Sequence, residues 1–344
     1  MVSEGVVTIT RQRGRPDGSA ESLSRYSPDP RRLLQLALAG IWLIDAVLQF
    51  QSCMFSRGFS QMLAGTASGN PSVIADPVTW AARIVEQHPV PANAAFATIQ
   101  LLLGLGIACR PTIRAALAAS VVWSVAVWWF GEGLGGVLNG GASPVNGAPG
   151  AVILYALLAV LLWPAGDDDA SEAGRAGPAG RGGRGVTFVA ARPVGTTAAR
   201  ALWVILWGSL AYFSITSANR TAEGLHDMVA GMAGGEPGWL GAINRGAGDV
   251  LAHNGLAASI VLAVLLAVVA IGIFGPLPAY RTAIVLAIVL ALLIWVVGED
   301  LGEVLAGGAT DVNSGPLLVL IALAYWPLSP ASRRLTEPAE ETAS

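Results

Sequence analysis

The chain is patterned as long apolar runs broken by short polar or glycine-rich stretches. Apolar runs fall at about 33–52, 94–109, 113–130, 149–163, 201–217, 255–275, 282–298 and 315–327. A helix rises about 1.5 Å per residue, so about 20 apolar residues cross the roughly 30 Å hydrocarbon core of a bilayer. The pattern therefore predicts an all-α membrane protein with eight transmembrane helices. The fourth run, Ala151 to Trp163, and the eighth, Pro316 to Trp326, are short for a full crossing. Each begins after a Gly/Pro-rich loop and closes on Trp-Pro, at Trp163-Pro164 and Trp326-Pro327. A tryptophan in that position suits an interfacial anchor.

Self-similarity sharpens the prediction. Residues 131–146 and 298–313 follow the third and seventh runs, and eleven of their sixteen positions are identical at an offset of 167. The same offset pairs Arg114 with Arg281, Pro111 with Pro278 and Trp128 with Trp295. Upstream, residues 58–65 match residues 224–231 at an offset of 166, and Asn70-Pro71 matches Glu236-Pro237. Asn93 matches Asn254 at 161, after a five-residue deletion in the second copy. Four spans per copy bring both copies into the membrane in one orientation. The expected fold is two parallel-repeat four-helix bundles, related by an axis along the membrane normal.

Composition agrees with lipid as the solvent. Residues AVILMFWYC make up 53% of the 344 positions and charged residues 12%, against about a quarter in an average soluble chain. The net charge of −3 argues against a nucleic-acid partner, which needs a basic face. All 20 basic residues are arginine, and with eight spans sixteen of them fall on one side. Only Arg57, Arg83, Arg220 and Arg245 fall on the other, so the positive-inside rule puts both termini in the cytoplasm of an inner (plasma) membrane. The expected domains are a polar, disordered tail at 1–32, a membrane module at 33–165, a flexible Gly/Ala/Asp/Arg-rich linker at 166–199, a second module at 200–328 and a tail at 329–344. The partners expected are the lipid bilayer and another membrane protein.

One module thus reads as a span, a long extracytoplasmic segment with a short amphipathic helix, a second span, a tight arginine-bearing turn and two more spans. The stretch Gln100 to Leu117, with Gly104, Gly106, Cys109, Arg110 and Arg114, resembles the middle of DoxX-like membrane proteins, where a glycine-rich span ends in a short arginine-bearing turn. The resemblance covers about 130 residues of each half by pattern. It implies small four-helix bundles, some associated with quinone-dependent thiol or thiosulfate oxidation. Quinone is thus the cofactor the resemblance allows; the residues themselves call for none. The Gly-Glu loop has no counterpart with an assigned role in that family, so no functional residue carries over.

Five polar residues are the candidates for chemistry. Glu132 and Glu299 occupy matched positions in the two Gly-Glu loops. From Arg114 to Glu132 a helix rises about 27 Å, which places the glutamate near the outer interface. Two readings stand: the carboxyls accept hydrogen bonds from the glycine-rich loop's own amides, or they hold a proton, an ion or a ligand. Asn146 and Asn313 close the same loops, and Asp300, Glu303 and Asp311 make the outer mouths acidic. Asp45 lies nearer mid-membrane in the first span, one turn before Gln49, on a face expected to turn inward toward Gln100. A local Asp45–Gln49 hydrogen bond is the plain reading of that pair. Its counterpart, Ala211, is apolar, so any function there is asymmetric. No cysteine or histidine spacing suits a metal, and no histidine lies within a span to ligate haem.

Function is therefore expected among three readings. The first is a non-enzymatic accessory or small-molecule/ion-handling component, the second a quinone-binding redox subunit, and the third a proton- or cation-coupled transporter. A lipid-accessible aromatic groove would favour the second. A polar cavity lined by Asp45 would favour the third.

Overall fold

The structure is a computed structural model and describes residues 29–164, 186–216, 224–231 and 236–328. Among these residues the chain is all helical. The first half comprises α1 (Pro30–Leu48), α2 (Arg57–Gly65), α3 (Ser72–Gln87), α4 (Pro89–Ala108), α5 (Ile113–Phe130) and α6 (Ala151–Leu161). The second half comprises α7 (Ala191–Ser214), α8 (Gly224–Gly231), α9 (Gly238–Leu251), α10 (Gly255–Gly272), α11 (Leu277–Leu293) and α12 (Ser314–Ala324). A π-helical turn, Ile294–Gly298, extends α11.

Five stretches are long and apolar enough to cross a membrane: Pro89–Ala108, Arg110–Phe130, Ala191–Ser214, Gly255–Gly272 and Leu277–Gly298. Their outward faces carry Leu102, Val122, Val261, Val264 and Val289, all well exposed. Water would not tolerate so much contiguous apolar surface, whereas lipid covers it without cost. Helix α1 is 19 residues long but carries Arg31, Arg32 and Asp45. Helices α6 and α12 have 11 residues each, about half the length of a crossing.

The halves pack alike. In the first, α1 lies on α4, α4 on α5, and α5 on α6; in the second, α7 lies on α10, α10 on α11, and α11 on α12. The α4–α5 and α10–α11 pairs each close on a glycine. A Cβ on Gly106 would stand 2.8 Å from the Ala116 methyl, and one on Gly272 2.5 Å from the Ala283 methyl. Both distances are well inside van der Waals contact, so these helices approach because the side chain is absent. Between the halves α6 packs on α12, while α6 also meets α7 and α12 meets α1. A single apolar core runs through both halves, from Leu38 and Trp42 to Leu317 and Ile321.

At the end of the bundle remote from the Gly-Glu loops, Arg32 donates to the carbonyls of Ile107 (3.1 Å) and Ala108. A cation there meets the negative end of α4. Phe188 stacks on Tyr325 at 5.0 Å, and Ala190 N–H donates to the Ala324 carbonyl. These contacts correct the expected linker. Phe188, Val189 and Ala190 pack into the core, and α7 already runs from Ala191, with one break at Gly195 (φ 80, ψ 157). Likewise Pro30–Arg32, expected in the tail, belong to α1. The remaining expectations for the tails and linker fall on 1–28, 165–185 and 329–344, which lie outside the described residues.

Candidate functional site

The two Gly-Glu loops fold the same way. After α5 the chain makes a tight turn in which Leu134 (φ 58) and Gly135 (φ 60) are left-handed; after the α11 extension Leu301 (φ 57) and Gly302 (φ 74) repeat it. A leucine in that conformation costs on the order of 1 kcal/mol, so the surroundings must hold it. Gly135 is obligatory for a second reason, since a Cβ there would overlap the Pro149 carbonyl. The turn thus lies flat against the segment that enters α6.

That contact fixes the glutamates. Glu132 Oε1 accepts from Val152 N–H at 3.1 Å, and Glu299 Oε2 accepts from Gly315 N–H at 3.1 Å. The Ser314 hydroxyl donates to the other oxygen of Glu299. One turn before each glutamate a tryptophan grips the same entry segment: Trp128 Nε1–H donates to Pro149 O at 2.6 Å and Trp295 Nε1–H to Val312 O at 2.9 Å. Each carboxyl therefore sits at the positive end of a short final helix and satisfies amides that α6 or α12 cannot bond internally. The expected bonds to the glycine loop's own amides are not the ones formed.

The asparagines diverge. Asn146 is exposed; its Oδ1 accepts from Ser143 N–H and its amide nitrogen donates to Gly141 O, which knots the first loop on itself. Asn313 (φ 63) instead caps α12 by accepting from Ser314 N–H at 2.8 Å. Asp45 is fully buried, and its Oδ2 accepts from the Tyr155 hydroxyl rather than pairing with Gln49. Gln49 donates instead to Thr310 O at 3.1 Å across the boundary between halves, and Asn93 donates to the Gln49 carbonyl at 2.6 Å.

Comparison with protein-family models, with curated proteins and with solved structures finds no match to this chain. The site must speak through its geometry.

Two cavities adjoin at this junction. The outer one, about 550 Å³, lies between the two Gly-Glu loops and is lined by Glu132, Asn146, Asn313, Glu303 and Asp311 among others. The second, about 490 Å³, is lined mostly by the first half, with Thr310 and Asp311 of the second loop completing it. Its walls are aromatic, with Phe96 against Trp123 at 5.8 Å and Trp80 against Phe130 at 6.1 Å between ring centroids. Helix α3 borders it with Trp80, Ala81, Ile84 and Val85, of which Trp80 and Ile84 are exposed, while its buried Ile74, Val78 and Ala82 do not line it. The polar residues lining this chamber are Gln49, Thr66, Gln100, Glu132, Tyr155, Thr310 and Asp311. Glu132, Thr66, Met62, Thr310 and Asp311 line both cavities and so form the wall between them. Asp45 lines neither and reaches the chamber only through Tyr155.

The wall is acidic. Burial, reinforced by the nearby Asp311 carboxylate, pushes Glu132 up to about 8 despite the Val152 amide. Glu299, which lines neither cavity, is raised by burial to about 7 and held back by its bonds to Ser314 and Gly315. Asp311 is raised too, by burial, against bonds from Asn313 N–H and Thr310. Among the described residues no arginine or histidine lines either cavity. Among the described residues no three Asp, Glu, His or Cys side chains gather as a metal site.

The sequence marks Glu132, which lines both cavities, and Glu299, which lines neither, but not Tyr155, Trp123, Trp80 or Phe96. Tyr155 carried a signal, as the one polar ring in the otherwise aliphatic Ala151–Leu161 stretch. The chamber aromatics carried none, because tryptophans near span ends read as interfacial anchors. The chamber's aromatic walls belong to one half: Trp123 and Phe130 have Leu290 and Val297 at the 167 offset.

Proposed function

We propose that the chain is a DoxX-like integral membrane protein of eight spans, arranged as two parallel repeats of a four-helix module with both termini cytoplasmic. In this reading its role is non-enzymatic: the first module takes an amphipathic small molecule from the bilayer. The apolar body lies in the aromatic chamber and the polar head rests on the Glu132–Asp311 wall. One observation carries it, the chamber of about 490 Å³ whose lining joins aromatic side chains to Gln49, Gln100, Glu132 and Asp311. That volume falls within the range of drug-sized ligand sites. Support for the parallel arrangement comes from the exchange of contacts between halves. The end of α1 bonds to the second loop (Gln49 to Thr310), and the end of α7 to the first (Thr216 to Ala142).

A quinone or quinol is the second reading, favoured by the flat aromatic walls around Phe96 and Trp123. The transporter reading has less support, since Asp45 lines neither cavity.

Tryptophan fluorescence tests the proposal. In nanodiscs, a bromoalkyl alcohol should quench Trp80 and Trp123 saturably, and Ala126→Phe, which fills the chamber, should abolish the saturable component. Quenching that is linear in concentration and equal in both proteins would reflect bilayer partitioning alone and defeat the proposal.

A further inference from the structure

The two halves satisfy their glutamates differently. Past the deletion in the second loop the copies align at an offset of 163, which pairs Val152 with Gly315, Ala151 with Ser314 and Gly150 with Asn313. Glu299 therefore has a partner for each oxygen, the Gly315 amide and the Ser314 hydroxyl. Glu132 keeps the equivalent amide, from Val152, but has Ala151 where the hydroxyl would stand. Its Oε2 is buried against Gly150 and, among the described residues, has no hydrogen-bond partner.

The same deficit recurs among the polar residues lining the chamber. Gln49 Oε1 and Gln100 Oε1, on side chains 3% and 8% exposed, are buried without partners. Gln49 cannot be turned around, because its amide nitrogen is committed to Thr310 O. Asp45 Oδ1, behind Tyr155, also has no partner. These four atoms are all acceptors. A buried acceptor costs about 1–3 kcal/mol unless it is met by a donor, and a carboxylate costs more. The charged and titratable groups facing Glu132 are Asp311 and Glu303 from the second loop, Tyr155 from α6 and Asp45 from α1, with no basic group among the residues lining either cavity. The missing partner must donate, and acidic surroundings without a lining basic group favour one that is also positive.

We propose that the chamber's ligand is an amphipathic organic cation, an alkyl or aryl amine whose ammonium group binds Glu132 Oε2 and the unpartnered Gln49 and Gln100 oxygens. This rests on the chamber reading and adds the class of head group to it. The second half, with Ser314 in place, has closed the equivalent position and does not bind. Ammonium and proton compete for one carboxyl, so binding releases a proton. With Glu132 near 8, the carboxylate fraction rises from about 3% at pH 6.5 to about 90% at pH 9, so amine affinity rises about 30-fold over that interval.

Displacement of the bromoalkyl alcohol by dodecylamine, dodecanol and dodecanoate, in zwitterionic nanodiscs below micellar concentrations, tests the head group. At pH 9 dodecylamine should displace at a concentration at least about tenfold below dodecanol, the worth of one charge-assisted bond. The advantage should disappear in Glu132→Gln and shrink in Ala151→Ser, which supplies the hydroxyl the first half lacks and keeps the charge. Dodecanol should be insensitive to pH. Equal displacement by amine and alcohol, or a better result with dodecanoate, overturns the proposal while leaving the chamber intact. An amine advantage that persists unchanged in Ala151→Ser and at pH 6.5 also overturns it. Absence of saturable quenching by the bromoalkyl alcohol would remove the chamber itself.

Discussion

Glu132→Gln should make the protein more stable at alkaline pH and leave it nearly unchanged in acid. In the fold this carboxyl is pushed up to about 8, chiefly by burial and then by Asp311. In the unfolded chain it ionises at its ordinary value of 4.5. Between those values the folded state holds a proton that the unfolded state has lost, so the stability of the fold falls as pH rises. The slope is about 1.4 kcal/mol per pH unit, which accumulates to about 5 kcal/mol by pH 8. Glutamine keeps an oxygen for the Val152 amide, which donates at 3.1 Å, but cannot ionise. Thermal unfolding of ligand-free protein in nanodiscs should therefore give curves that converge near pH 5 and separate by roughly 10 °C at pH 8, with the variant higher. Glu299, raised to about 7, adds its own slope to both proteins and cancels in the comparison. Parallel curves, or a variant that is less stable at pH 8, would refute the assignment of a buried, protonated carboxyl.

Two further substitutions probe the packing. Tyr155→Phe removes the hydroxyl that Asp45 accepts from and should lower stability by about 1–3 kcal/mol, while Asp45→Leu together with Tyr155→Phe should recover most of that loss in a double-mutant cycle. Gly106→Ala and Gly272→Ala should each destabilise through the Ala116 and Ala283 contacts, whereas Gly40→Ala, with nothing within 4 Å, should be neutral or stabilise by up to about 1 kcal/mol in denaturant titrations.

Much of the architecture was legible because hydrophobic length and internal identity are local properties of the chain. The eight apolar runs correspond to helices α1, α4–α7 and α10–α12, and the matched Gly-Glu loops share their left-handed leucines. The hydrogen bonds were not legible. Glu132 lies twenty residues from the amide it accepts, and Asp45 lies 110 residues from the tyrosine that donates to it. Sequence spacing on one helix suggested Gln49 for Asp45, yet Gln49 is drawn away to Thr310 in the other half. The linker was misjudged for a related reason. Phe188 and Val189 sit in glycine- and arginine-rich surroundings, and only the cleft beside Tyr325 gives them a place to bury. Most informative was the comparison of copies, since Ala151 against Ser314 acquires meaning only once Glu299 is seen bonded to that serine.

The central claim is that the first module holds an amphiphile in a chamber that Ala126 helps to line. Extraction of the purified protein followed by mass spectrometry tests it without assuming the ligand. An organic species recovered at about one per chain from the unsubstituted protein, carrying an amine, and missing from correctly folded Ala126→Phe is the predicted result. Identical extracts from the two proteins, containing only bulk membrane lipid, would contradict the account.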